Sequence, residues 1–148
     1  MRSRIAANLR KDSLVAVEVL GLVLARITPA LQRRYGLPSA EGVVVLRAPD
    51  DVNRLRMSNL REGDVLIGLG PGWGDIEPVK DPMEVLDLLA GRGTDRFDHP
   101  ASYEYEWRCG PNHPTDRGAV RHNALHLSNK DYASVLKALK DPVAWRPD

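Results

Sequence analysis

The sequence predicts an α+β fold, with short strands interleaved with two or three short helices and a further helix near the C-terminus. Three observations carry this. Brief apolar runs rich in Val and Leu, at 13–19, 22–27, 43–46 and 60–67, are separated by Gly, Pro, Asn and Asp, the residues of tight turns. Two helix starts are complete, Thr28-Pro29 and Asp81-Pro82-Met83-Glu84, each a capping side chain followed by proline at the first helical position. Finally, Tyr103, Tyr105 and Trp107 alternate with Glu104, Glu106 and Arg108, the period of a strand with one buried and one wet face.

Each element follows from local chemistry. Residues 1–12 form a polar arm in which Ile5 and Leu9, four apart, allow a short helix or a frayed end. Strand 13–19 is apolar from Leu14 onward but for Glu18. Gly21 then provides the backbone freedom of a tight loop before strand 22–27. The helix opened by Thr28 closes at Gly36. Residues 43–46, four apolar side chains in a row, read as a buried central strand. A short helix is expected at 52–58, with Val52, Leu55 and Met57 on its partial apolar face and Asn59 as a left-handed residue after it.

Residues 60–67, a turn leading into another strand, are followed by Gly68, Gly70, Gly72 and Gly74, read as a wide hairpin turn. The helix at Asp81 offers two apolar faces, through Val85, Leu86, Leu88, Leu89 and Ala90, so one face needs a partner besides the sheet. After a loop at 91–100, strand 103–108 and a return strand 119–127, buried at Val120 or at Leu125 and Leu127, flank a long hairpin loop. Ser128 with Asp131 starts the last helix, whose Tyr132, Val135, Leu136 and Leu139 share one face; the back of the sheet is its expected dock. The tail with Trp145 reads as a docked end or an appended remnant.

Composition narrows the function. A length of 148 residues with 43% hydrophobic and 28% charged content suits one folded domain rather than a disordered chain. A net charge of +1 provides no general field for nucleic acid or an anionic membrane. The lone Cys109 closes no internal disulfide, so an oxidising compartment is neither needed nor supported. The apolar run at 14–27 contains Glu18 and Arg26, is too short to span a bilayer and lacks a signal-peptide cleavage site. No nucleic acid and no membrane insertion are therefore expected, and a chain complete as given would be cytoplasmic.

Chemical motifs are few. The glycine-rich stretch lacks the lysine and spacing of a phosphate loop. No G-x-S-x-G elbow occurs and no serine pairs credibly with a histidine and an aspartate, so catalysis by this chain is not expected. Cys109, His113, His122 and His126 lie on one predicted hairpin and constitute an alternative zinc set, although their spacing fits no common structural motif; the primary expectation is no metal and no cofactor.

Leu20-Gly21-Leu22, Thr28-Pro29-Ala30-Leu31, Gly42-Val43-Val44-Val45 and Gly63-Asp64-Val65-Leu66, in this order and at these separations, resemble a PDZ domain, most closely those of bacterial HtrA/Deg-type serine proteases. The resemblance spans residues 13–128. It leaves 1–12 as an N-terminal arm and 129–148 as a C-terminal helix and tail. It implies a PDZ-like, partly open antiparallel barrel or sandwich of five to six strands capped by the helices.

It also implies a function: capture of a partner's C-terminal, or exposed hydrophobic, peptide by strand addition between strand 22–27 and the Asp81 helix. The peptide carboxylate would sit on the amides of Leu20, Gly21 and Leu22. Val23, Leu24, Arg26, Pro82, Leu86 and Leu89 would line the groove, with Leu20, Leu22, Leu86 and Leu89 around the last ligand side chain. Arg26 would read an acidic ligand residue or simply be solvated. The alternatives are a scaffold or oligomerisation domain whose groove is blocked by its own C-terminal helix, a homo-oligomer among them, and a regulatory fragment of a parent protease.

Overall fold

The computed structural model describes residues 2–6, 16–48, 60–71, 76–91, 102–113, 115–140 and 143–147. In chain order they form β1 (Arg2–Ala6), β2 (Ala16–Val19), β3 (Leu22–Arg26), α1 (Pro29–Tyr35), β4 (Val43–Arg47), β5 (Val65–Pro71), β6 (Glu77–Pro78), α2 (Pro82–Gly91), β7 (Ser102–Arg108), β8 (Val120–His126), α3 (Asn129–Lys140) and β9 (Val143–Pro147). The expected helix at 52–58, Asn59, the tip of the glycine-rich turn at 72–75 and the loop beyond Gly91 lie outside the described residues.

Seven strands form one antiparallel sheet in the order β2-β3-β4-β5-β7-β8, with β6 pairing β5. The sheet is open. Its end strands β2 and β8 do not pair among the described residues, so the sheet is not closed into a barrel, and it has seven strands where a partly open barrel or sandwich of five to six was expected. β1 and β9 form a separate antiparallel ladder running from Arg2 opposite Pro147 to Ala6 opposite Val143. Over residues 2–6 the polar arm is therefore a strand, not a helix, because a partner from the other end of the chain decides its conformation.

The caps work as written. Thr28 accepts from the Leu31 amide at 3.2 Å, Asp81 from the Met83 amide at 2.9 Å, and Ser128 and Asp131 bond each other's amides at 3.1 Å. One face of the sheet packs Leu22, Leu24, Val43, Val45, Leu66, Leu69, Tyr103, Tyr105, Trp107 and Leu125 against α2, while the other packs Val23, Ala25, Val44 and Val65 against Leu31 and Tyr35 of α1.

A bulge explains how β5 serves the first face. Leu66 pairs Trp107 and Leu69 pairs Tyr105, so three steps on β5 match two on β7, and Ile67 is the extra residue. Both leucines thereby reach the same core.

Helix α3 is the partner that α2 lacked. It stacks on α2 and flanks β2, burying Val135 completely, with Leu139 partly buried and the Tyr132 hydroxyl donating to the Ala90 carbonyl at 3.1 Å. Leu136 stays 43% exposed, so the expected dock on the back of the sheet is replaced by one beside α2. Val120 is likewise exposed, so the buried positions of this segment are Leu125 in β8 and Leu127 just after it.

Candidate functional site

The expected groove lies between β3 and α2. From β3, Leu22 and Leu24 join Leu86 and Leu89 of α2 in a single buried cluster, together with Leu20 from the turn. Val17 and Val19 of β2 belong to the same cluster. None of these leucines is open to solvent: Leu22 is 1% exposed and Leu86 fully buried. Val23 faces the other way, into the core beneath α1. Pro82 is buried at the start of α2, and the exposed Arg26 lies 3.8 Å from the Asp81 carboxylate, an ion pair worth about 0–1 kcal/mol in water.

β3 is not an edge strand. Its flank away from β4 is occupied by β2, paired antiparallel from Ala16 opposite Ala25 to Val19 opposite Leu22. Leu20 and Gly21 thus form a two-residue hairpin turn with φ of 56° and 82°, left-handed at both positions. Leu20, Gly21 and Leu22 are brought together as expected. However, Leu22 belongs to the closing pair of the hairpin rather than to an open loop of free amides.

A second cluster escaped sequence reasoning. Asp64, before β5, is completely buried. Its Oδ1 accepts from the Gly110 amide at 2.7 Å, and its Oδ2 from the Arg61 amide and from His113 Nε2, both at 2.8 Å. Around this centre the Arg61 guanidinium donates to the Asn112 carbonyl at 2.8 Å and Asn112 returns a bond to the Glu62 carbonyl at 2.9 Å. The long loop between β7 and β8 is thereby clamped onto the 61–64 turn.

Two glycines make the clamp sterically feasible. A Cβ on Gly110 would overlap the Gly63 carbonyl oxygen, and Gly63 itself holds a φ of 90° against Pro111 and Tyr35. The Trp107 ring lies 5.4 Å from that of His113, and its buried indole N–H has no hydrogen-bond partner among the described residues. The only sequence signal was a charged residue directly before an apolar strand, with Gly, Asn and His gathered in one distant loop.

The alternative zinc set does not converge. Cys109 is buried on the core side, His113 is bonded to Asp64, and His122 and His126 point to the opposite, exposed face, His122 within 3.5 Å of Glu104. Among the described residues no three His, Cys, Asp or Glu side chains are grouped to hold a metal ion. A cavity of about 330 Å³ opens between the loop before β4 and β6, bordered by Gly42, Ile67, Pro78, Lys80 and Arg108; none of the expected groove residues lines it.

No protein-family model matches the chain, and no curated protein or solved structure matches it either.

Proposed function

We propose that this chain is a non-catalytic protein-interaction module with the layout of a PDZ domain, in which the groove between β3 and α2 is filled by its own strand β2. The antiparallel pairing of β2 with β3 carries this reading. A captured C-terminal peptide would run antiparallel to β3, with its last residue at the Leu20-Gly21-Leu22 turn. β2 runs in that direction and ends in Val19 at that turn. Its Val17 and Val19 share a cluster with Leu20, Leu22, Leu86 and Leu89, the residues that by resemblance wall the ligand pocket. The blocking element in this scaffold-like reading is β2, with α3 stacked over the mouth, rather than the C-terminal helix alone.

Capture of a partner's C-terminus is the second reading, and it would proceed by exchange. An aliphatic terminal side chain would take the place of Val19, a burial worth about 1.5–3 kcal/mol. The feature favouring exchange is the short plug: β2 spans four residues and its turn holds Leu20 at a left-handed φ.

Fluorescence anisotropy with peptides ending in Val, Leu, Phe, Ala or Asp, as free acids and as amides, tests both readings on the wild type and on a Val17→Asp/Val19→Asp variant. A filled groove predicts no binding to the wild type and binding of apolar-ended free acids to the variant. Binding of free acids to the wild type favours exchange. Equal binding of free and amidated peptides, or no binding to either protein, rules out the groove as a carboxylate site.

A further inference from the structure

We infer that β8, the last strand of the sheet, is a self-association edge. Two copies of this chain join β8 to β8, antiparallel about a twofold axis at Asn123, and make one continuous sheet. This goes beyond the filled-groove reading and is independent of it, since β2 and β8 stand at opposite ends of the strand order.

The backbone is the first argument. Among the described residues β8 pairs only β7, over all of Val120–His126, and no strand lies on its outer flank. Cys109 donates to the Ala119 carbonyl at 2.9 Å and accepts from the Gly118 amide at 2.8 Å, so its backbone groups face β8. Backbone polar groups alternate sides along an antiparallel strand, so Trp107, Tyr105 and Tyr103 face β8 as well, and their partners Arg121, Asn123 and Leu125 face back. Val120, His122, Ala124 and His126 therefore turn their N–H and C=O groups away from β7. The Ala124 amide bears this out: it donates to Oδ1 of Asn123 at 2.9 Å, not to β7. The side chains of these four residues are exposed. β8 contains neither proline nor lysine, and its register with β7 runs without a shift, so the common guards of a sheet edge are missing.

The side chains are the second argument, and they select a copy of the same strand as the occupant. A twofold axis at Asn123 sets Arg121 of each copy opposite Leu125 of the other, His122 opposite Ala124, and Val120 opposite His126, with paired residues on one face. Every ionisable side chain of β8 then meets a neutral one, and the bulk of His122 meets the smallest residue of the strand. An axis at His122 or Ala124 would oppose two histidines, and one at Arg121 two guanidinium groups, pairings that are unfavourable when charged. Asn123 meets Asn123, and a carboxamide, being donor and acceptor at once, complements its own copy. The His122 carbonyl of the other copy takes over the Ala124 amide and so releases the Asn123 carboxamide for that bond. The interface is isologous and closed.

Asn123 is a non-hydrogen-bonded position of the joint ladder, where opposed Cα atoms stand close enough for a disulfide. Oxidised in native buffer, Asn123→Cys/Cys109→Ala should form a disulfide-linked dimer about tenfold or more faster than Ala124→Cys/Cys109→Ala, whose cysteines stand two residues out of line. The wild type is tested without substitution. From micromolar to millimolar protein, sedimentation should show a monomer–dimer equilibrium. Amide exchange at His122 and Ala124 should slow with the dimer fraction, by about tenfold or more at saturation, while Arg121, Asn123 and Leu125 stay protected at every concentration. Ala124→Pro removes only an outward N–H, leaves the ladder with β7 whole, and should abolish the dimer. A wild type that is monomeric throughout overturns the inference. So does a dimer in which His122 and Ala124 exchange as fast as in the monomer, or equal cross-linking at the two cysteines. Peptide binding plays no part in these readouts, so each leaves the filled-groove reading to its own test.

Discussion

Leu20 shows how a core can impose a turn that the local sequence disfavours. Its left-handed backbone costs about 1–2 kcal/mol, and its side chain, 8% exposed within the main cluster, recovers about 1.5–3 kcal/mol by burial. Leu20→Ala loses the burial and keeps most of the backbone cost, whereas Leu20→Asn relieves the cost; urea denaturation should therefore rank Leu20→Asn above Leu20→Ala, with both below wild type. Asp64 has three donors aimed at it in a sealed site. Asp64→Ala leaves the buried Gly110 amide, the Arg61 amide and an imidazole without their acceptor, an expected loss of about 3–5 kcal/mol in the same assay, with Asp64→Asn intermediate. Burial pushes the Tyr105 phenol up to about 12, against the pull of its bond with Asn123. Between pH 10 and 12 the folded protein therefore binds more protons at this site than the unfolded chain, so this contribution is whole below pH 10 and is lost as pH rises toward 12. Tyr35, raised by burial and by its bond to Glu62, acts in the same direction. Urea midpoints should fall above pH 10, and less steeply in Tyr105→Phe.

Elements with caps and clean periods were legible. Thr28-Pro29, Asp81-Pro82 and Ser128 state their helices in local hydrogen bonds, and Tyr103, Tyr105 and Trp107 state their strand by alternation, so no distant residue was needed. The pairing of Arg2–Ala6 with Val143–Pro147 was not legible, since both segments take their conformation from a partner more than a hundred residues away. Nor was the bulge at Ile67, which depends on what β7 presents. That Leu20, Leu22, Leu86 and Leu89 come together was legible, but their burial with β2 was not: the same pattern that identifies β3 identifies β2, and only tertiary structure says that the two pair. The second apolar face of α2 was correctly read as needing a cover, and α3 supplies it. Val135→Asp should therefore lower stability by several kcal/mol, the cost of an unpaired carboxylate in a dry interface. Leu136→Asp, on the exposed side of the same helix, should change it by less than about 0.5 kcal/mol, and thermal melts of the pair separate the two faces.

On the scale of the whole molecule, the central strand β5 joins the two halves of the sheet, with β4 and β6 on one flank and β7 on the other. Cys109 is buried where β7 meets the clamped loop, so labelling of its thiol by an aromatic disulfide should be negligible in native buffer and rise with denaturant along the unfolding curve. Rapid native labelling would mean that this end of the sheet opens locally. The Asp64–Gly110 bond has a consequence for fidelity as well as for strength. It connects the residue before β5 to a residue just after β7, beyond the end of a ladder that already contains a one-residue offset. A ladder with such an offset has a near neighbour in which the extra residue moves along β5, and a slip of one position turns inward side chains outward. By fixing one end, the buried carboxylate selects a single alignment. Its removal should produce, besides a weaker protein, a mixed population, visible as doubled amide resonances along β5 and β7.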